Sequence, residues 1–300
     1  MRRLAVFVGT LFCFVVVGCG EPPPSEEQGG GGSAPETTAE ATDETTAEET
    51  TMVEVGGSPD LDEAADAYEE YVAEQIVLLE DRTEPFVDAV LAGKVEQAKE
   101  LYAPAREPWE RIEPIAAQLG DYDPEIDARE GDVPDEEWGG FHRIEKALWV
   151  EETAEGQEEY ARGLIEDVRN LRGEIESLEL EPVDLVTGSV ELLNEVSAGK
   201  ITGEEERYSH TDLYDIQANV EGSEAAFDEL KPEVAGEDLA LANDIEEGFD
   251  GVYEELDQYR RGDGWVSYEK LGEAERRALS QKVDALAEPL SRAGQVLEKG

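Results

Sequence analysis

Helical periodicity is the feature of this sequence that most narrows its possible folds. From about residue 60 to the C-terminus, side chains that favour burial recur three and four positions apart, as on one face of an amphipathic helix. The same region is rich in Ala, Leu and Glu and poor in strand signals. Two segments show the pattern well: Tyr68, Tyr71, Gln75, Leu78 and Leu79, and then Leu164, Val168, Leu171, Ile175 and Leu178. The pattern predicts an all-α domain over residues 60–300.

Glycine and proline residues divide this domain into about eight helices. The clearest breaks are Gly93, the loop between residues 120 and 140, and Pro182. Long amphipathic helices joined by short connections favour up-down bundles. The predicted helices cover residues 61–92, 94–118, 138–153, 157–180, 184–198, 211–230, 237–260 and 266–298.

A short internal echo suggests duplication, although chance repetition stays open. Ala-Gly-Lys at residues 92–94 is followed by Tyr102, and Ala-Gly-Lys at residues 198–200 is followed by Tyr208 at the same spacing. Each copy lies between the first and second helix of a four-helix half. Duplication predicts two packed four-helix up-down bundles, with their interface as a natural place for a site.

The residues before this domain resemble an export signal. Arg2 and Arg3 precede an apolar run over residues 4–17, which is too short to span a bilayer but suits the core of a signal peptide. The run ends in Val-Val-Gly-Cys, which resembles a bacterial lipobox. We therefore predict a signal peptide over residues 1–18 and lipidation of Cys19. Cleavage of an ordinary secreted protein near the same position is the alternative.

Residues 19–59 have the composition of a tether. They contain three consecutive prolines, four consecutive glycines and Thr/Glu/Ala repeats, and they lack the apolar residues needed for a core. Such a segment is predicted to be a disordered acidic linker. Together with the signal peptide, it predicts an exported protein that is lipid-anchored to the membrane and faces the periplasm or the cell exterior.

Cysteine content and charge exclude several classes of function. The chain has two cysteines, Cys13 and Cys19, and neither lies in the predicted domain. A disulfide, a thiolate metal site and a cysteine nucleophile are thereby excluded from that domain. The formal net charge of −52 argues against nucleic acid as a partner, because a phosphate backbone needs a basic surface. Solubility explains most of the acidic residues, so acidity alone does not locate a site.

His142 and Glu145 are the first candidate site residues. They stand three apart on a predicted helix, so their side chains lie on one face. An imidazole nitrogen and a carboxylate oxygen in this arrangement can bind one cation, as in metal-binding helix bundles. A surface hydrogen bond between the two side chains is the alternative. The flanking sequence, from Gly139 to Trp149, favours a tight and partly buried setting.

Two acidic clusters are further candidates. Glu110 and Glu113 share a helical face, and Asp127 follows in the next loop. Like charges on one face repel unless a cation or a basic side chain lies between them. Three arginines could supply that charge: Arg106, Arg111 and Arg129. The other cluster is Glu204, Glu205 and Glu206, shortly before His210 and Asp212, for which a solvated loop is the alternative.

Three long segments resemble a known family. They read GFHRIEKALW, RYSHTDLYDIQANVEGSEAAF and WERIEPIAAQLGDYDPEIDAREGD. They are similar to the helical domain of EfeO and of the short EfeM-like proteins, within the imelysin family. The resemblance extends from about residue 60 to the C-terminus. It implies two packed four-helix bundles and a role in Efe-type iron uptake, beside a membrane iron permease and a haem-peroxidase-like partner.

The resemblance also implies a set of metal ligands. His142 and Glu145 occupy the family's His-x-x-Glu motif. The acidic positions assigned to the metal are Glu110, Glu113, Asp127 and Glu205, with Glu206 as the rival of Glu205. His210 and Asp212 are interpreted as residues behind the ligands or at a helix start, because an acidic residue there commonly caps a helix.

The chain departs from full-length EfeO in one respect. A linker stands where EfeO carries a cupredoxin-like domain, so copper-assisted oxidation is not implied. The resemblance therefore implies a metal-binding lipoprotein, not an enzyme, that captures iron and delivers it to a permease. Carboxylates and an imidazole suit ferrous or ferric iron, and also zinc, manganese or calcium.

Three alternatives remain open at this point. One is an imelysin-like metallopeptidase, although the sequence lacks His-Glu-x-x-His. Another is a module that binds acidic polysaccharide through a bridging metal. The third is a structural lipoprotein without a metal, in which the clusters around His142 and Glu110 lie far apart.

Overall fold

A computed structural model describes residues 59–297 of the chain. The predicted signal peptide, the lipidation of Cys19 and nearly all of the linker lie outside these residues. Helices account for most of the described part, which confirms the all-α prediction. The α-helices are α1 (Pro59–Leu91), α2 (Val95–Ile112), α3 (Tyr122–Asp127), α4 (Gly140–Trp149), α5 (Glu158–Glu174), α6 (Pro182–Ala198), α7 (Asp212–Glu237), α8 (Leu239–Leu256) and α9 (Glu273–Leu297).

Short 3₁₀ helices and one small hairpin complete the described structure. The 3₁₀ helices are Glu113–Leu119, Ile175–Ser177, Lys200–Thr202, Asp257–Tyr259 and Tyr268–Lys270. Strands β1 (Arg260–Arg261) and β2 (Gly264–Trp265) pair antiparallel. None of the helices within residues 59–297 combines the length and the apolar character needed to cross a membrane.

The eight predicted helices correspond to α1, α2 and α4–α9, although several ends differ: α5 stops at Glu174 rather than 180, and α7 continues to Glu237 rather than 230. The loop between residues 120 and 140 contains the additional short helix α3, and the hairpin delays the start of α9 to Glu273. α2 ends at Ile112 rather than 118 and continues as a 3₁₀ helix. Pro114 explains this end, because it has no N–H to donate to the carbonyl of Glu110. Asn219 Nδ2 donates to that carbonyl instead, at 3.0 Å.

The helices form two four-helix bundles, as predicted. In the first bundle α1 packs against α2 and α5, and α4 completes the ring by contacting both of these helices. In the second, α6 packs against α7 and α9, and α8 completes the ring in the same way. The two bundles meet mainly where α2 packs against α7. In each bundle, helices that are neighbours in the chain are neighbours in space, and the buried apolar side chains of both bundles form one continuous core.

Both copies of the sequence echo lie between the first and second helix of a half, as predicted, but their local structures differ. Gly93 has a left-handed φ of +66°, whereas Gly199 has a φ of −109°. Lys94 is exposed, but Lys200 is buried with 1% of its surface accessible. The correspondence between the halves lies in the order of their helices rather than in these residues.

Close backbone contact holds the bundles together at Gly222 of α7. A Cβ atom at this position would lie 2.0 Å from the carbonyl oxygen of Arg111 on α2, which is backbone and cannot rotate away. We expect Gly222→Ala to lower the free energy of unfolding by about 1–3 kcal/mol, as overpacking does. Urea denaturation measures this change. Gly236→Ala is the control, since a Cβ at Gly236, also on α7, meets no atom within 4 Å. Equal stability of the two variants would contradict the close contact.

Candidate metal centre

The candidate residues gather where the two bundles meet. Helices α2, α3 and α4 of the first bundle face α7 and the segment between α6 and α7 of the second. Gly140 allows the end of α3 to lie against the start of α4, since a Cβ there would be 2.3 Å from the carbonyl oxygen of Ile126. Its φ of +68° also favours glycine. This contact brings Asp127, the last residue of α3, beside His142 on the first turn of α4.

His142 lies between two pairs of carboxylates and is 1% exposed. On one side of the ring, Nε2 lies 3.5 Å from Asp127 Oδ1 and 3.7 Å from Glu205 Oε1. On the other side, Nδ1 lies 3.2 Å from Glu145 Oε2, with Glu206 nearby. In each group of three, the potential ligand atoms all lie within 4.8 Å of one another. Either side of the imidazole therefore has the spacing of a cation site.

Arg106 is the central cation of the cluster, and none of its surface is exposed. It forms ion pairs with Glu110 and Asp127, and its Nε lies 2.7 Å from Glu206 Oε1. Burial alone would raise the pKa of Asp127, but Arg106 and His142 lower it to about 2. Asp127 is therefore a carboxylate at neutral pH.

Lys200 neutralises Glu110 and Glu113. Its Nζ lies 3.0 Å from Glu110 Oε2 and 2.6 Å from Glu113 Oε2. Asn219 Nδ2 donates to the same two oxygens, at 3.0 and 2.6 Å. These two glutamates are therefore held in salt bridges, the alternative that the sequence left open. Lys200 pairs with both of them, and Arg106 pairs with Glu110.

The other two candidate arginines have different partners. Arg111 pairs with Glu221 at 2.7 Å. Arg129 lies 2.8 Å from Glu205 Oε2 and 3.0 Å from Asp132. Glu205 thus gives one oxygen to Arg129 and turns the other toward His142.

The structure places the predicted site residues in two neighbouring groups. One group surrounds the imidazole of His142 and consists of Glu145, Asp127, Glu205 and the rival Glu206. The other group lies next to it and consists of Glu110 and Glu113, which both pair with Lys200. His210 is apart from this group, partly exposed and 3.7 Å from Glu269.

Asp212 starts a helix and lies behind the predicted ligands, as the sequence suggested, although it is not the residue that caps the helix. It is the first residue of α7 rather than the residue before the helix, and its Oδ1 accepts a hydrogen bond from the backbone N–H of Glu206 at 3.3 Å. The bond helps hold the segment before α7 against the centre.

Asp215, Asn219 and Lys200 were not predicted from the sequence. Asp212, Asp215 and Asn219 follow one another on one face of α7, which the structure buries against α2. The available signal was their spacing of three and four residues, which places all three side chains on one face of the helix. Burial, followed by the charges of Glu206 and Glu110, raises the pKa of Asp215 well above its usual value. Asp215 therefore favours its neutral, protonated form in this surrounding.

An acidic cavity of about 330 Å³ leads from the surface to this group. Exposed residues such as Asp132 and Glu191 border it, and Asp127 and Glu205 lie at its inner end. Seven of the sixteen lining residues are acidic, and Arg129 is the single basic one among them. A cleft lined by one sign of charge concentrates ions of the opposite sign. The cavity is therefore suited to the entry of a cation.

Comparison with known proteins identifies the family. The family model described as imelysin, whose name classes it with the peptidases, matches residues 64–293. The chain belongs to the imelysin family. The matched range contains every residue of the centre, so the centre is part of the imelysin domain itself.

Relatives of this imelysin carry a more specific name. An Efem/EfeO family lipoprotein of Staphylococcus haemolyticus (strain JCSC1435) is 43% identical over 246 residues, which are 79% of this chain and 85% of the relative. An Efem/EfeO family lipoprotein of Staphylococcus aureus (strain NCTC 8325 / PS 47) is 41% identical over 255 residues, or 83% of this chain and 90% of the relative. Both relatives are named as lipoproteins and not after an enzymatic reaction. The resemblance to the EfeO and EfeM group is thereby confirmed.

Proposed function

We propose that this imelysin is an exported lipoprotein that captures iron outside the membrane and delivers it to a membrane permease. The convergence of His142 Nε2, Asp127 and Glu205 at the inner end of an acidic cavity carries the proposal. His142 Nε2 is buried, and it forms no hydrogen bond with any residue that the structure describes. A buried nitrogen of this kind needs a partner, and a cation supplies one.

The donor atoms determine which cations fit. Carboxylate oxygens suit hard cations, and imidazole suits iron, zinc and other borderline cations. The mixture binds ferrous iron and tolerates ferric iron, because the carboxylates neutralise the extra charge. Iron is the cargo of this site, and zinc, manganese and calcium are its competitors.

The names of the relatives support the remaining parts of the proposal. They are Efem/EfeO family lipoproteins, which supports a lipid on Cys19 and a place in an Efe-type system. A linker over residues 19–59 would let the domain reach a membrane iron permease and a haem-peroxidase-like partner. Because the cavity opens to the surface, captured iron has a route back out to such a partner.

Equilibrium dialysis of the purified full-length chain against ferrous iron, without oxygen, tests the proposal. We expect the wild-type chain to retain one iron ion per chain at the centre. The double variant Asp127→Asn/Glu205→Gln should bind iron about 100-fold more weakly or worse, since removing ligands costs at least as much as removing their supports.

The control removes the same charge from the surface. Glu273→Gln/Glu275→Gln changes two exposed acids at the start of α9 and should leave the affinity within about threefold. Circular dichroism shows whether both variants are folded. Equal iron binding by both would mean that the ion is held by surface charge and would contradict the proposal.

A further inference from the structure

We infer that Glu145 positions the imidazole of His142 rather than binding the cation, and that the cation binds Nε2. The inference rests on the proposed function and specifies its ligand set. Glu145 is then not one of the metal ligands that the His-x-x-Glu motif suggests. Of the two possible cation positions, one on each side of the His142 ring, the one beside Nε2 is occupied.

The contacts of Glu145 support a positioning role. Its Oε1 accepts hydrogen bonds from the backbone N–H groups of Tyr208 and Ser209, at 3.0 and 2.7 Å. Its Oε2 lies 3.2 Å from His142 Nδ1. Two backbone groups thus fix the plane of a fully buried carboxylate, which in turn fixes the ring. A carboxylate held behind a metal-binding histidine in this way sets both its orientation and its tautomer.

The Nδ1 side of the ring is already filled. Tyr102 Oη lies 3.4 Å from Nδ1 and donates to Glu206 Oε1 at 3.2 Å. Ser209 donates its hydroxyl to Glu206 Oε2 at 2.6 Å. Both oxygens of Glu206 are therefore engaged, and a cation here would have to break these contacts.

The Nε2 side, in contrast, faces the way in. Asp127 and Glu205 line the acidic cavity, and neither Glu145 nor Glu206 is among its lining residues. Nδ1 faces the Glu145 carboxylate, and Nε2 faces Asp127 and Glu205 at 3.5 and 3.7 Å. A cation at the inner end of the cavity therefore reaches Asp127 and Glu205, with His142 Nε2 directly behind them.

Glu145 also connects the two halves of the site. The segment that carries Tyr208 and Ser209 also supplies Glu205, and Glu145 binds its backbone from α4. One side chain thereby sets the direction of the imidazole and the position of a carboxylate ligand.

Nitrogen-15 NMR of the full-length chain loaded with Zn²⁺, a diamagnetic probe, tests the inference. The chain has two histidines, so His210→Ala assigns the signals of His142. We expect a protonated Nδ1 and a zinc-bound Nε2. Zinc bound to Nδ1, with the proton on Nε2, would overturn the inference and leave iron capture intact. Failure of the wild-type chain to bind either zinc or iron would overturn both.

Two substitutions of Glu145 add an independent readout. In Glu145→Gln the carbonyl keeps the two backbone hydrogen bonds, so the amide N–H₂ faces Nδ1 and forces the ring proton onto Nε2. We expect zinc affinity to fall about 10–100-fold, and at least as far as in Glu145→Ala. A bound amide oxygen would make Gln the milder change if Glu145 were a ligand. A smaller loss in Gln than in Ala would therefore overturn the positioning role.

Discussion

Arg106→Met is expected to lower the free energy of unfolding by about 3–5 kcal/mol, the usual cost of removing one partner from a buried ion pair. Arg106 is fully buried and pairs with Glu110, Asp127 and Glu206, and Asp215 lies 3.5 Å from its Nε. Methionine fills much of the space but leaves these carboxylates without their cation. Urea denaturation of the full-length chain at pH 7 measures the difference.

The pH dependence of this loss has a definite sign. Arg106 helps to lower the pKa of Asp127 to about 2, so the stability that Asp127 contributes is complete above its unfolded pKa of about 4. That contribution disappears as the pH falls through about 2. The difference between the wild type and Arg106→Met should therefore be largest near neutral pH and shrink below about pH 4.

Arg111→Met is the matched control, because Arg111 lies on the same helix and pairs with Glu221 nearer the surface. A partly exposed ion pair contributes about 1 kcal/mol or less. Similar losses in the two arginine variants would show that Arg106 is not the cation that holds the centre together.

His142→Ala is expected to weaken iron binding about 100-fold or more, which corresponds to about 2.7 kcal/mol. The variant removes the imidazole ligand and leaves Asp127 and Glu205 facing each other. Competition between the full-length chain and a chelator of known affinity measures the change. His210→Ala is the control, since His210 is partly exposed and pairs with Glu269 away from the centre. Unchanged affinity in His142→Ala would remove the imidazole from the site.

Local spacing was sufficient to predict part of the centre. His142 and Glu145 are three residues apart on a helix, so their contact needs no knowledge of the tertiary structure. Glu110 and Glu113 share a face for the same reason. Periodicity and the glycine and proline breaks also predicted the eight main helices, whereas their grouping into two bundles came from the sequence echo and the family resemblance.

The rest of the centre depends on contacts that spacing does not reveal. Asp127 reaches His142 because α3 forms in a segment predicted as a loop and because Gly140 lets α3 lie against α4. Lys200 gave no sign of burial in the sequence, and the related tripeptide at residues 92–94 carries an exposed lysine. Lys200 meets Glu110 and Glu113 only because α6 packs against residues 113–119 and α7 packs against α2.

The end of α2 shows the same limit. Pro114 ends α2 early, and Asn219 of α7 takes over the carbonyl that the proline leaves unpaired. The side chain that satisfies this carbonyl lies more than a hundred residues away in the chain. Sequence patterns predict that a helix stops at a proline, but they do not identify this distant partner.

Anomalous X-ray scattering from crystals of the iron-loaded chain, recorded at the iron absorption edge, locates the bound ion directly. We expect one strong peak between the two bundles, bonded to His142 Nε2, Asp127 and Glu205 at the inner end of the acidic cavity. Iron found only on exposed carboxylates, with no peak beside His142, would contradict it.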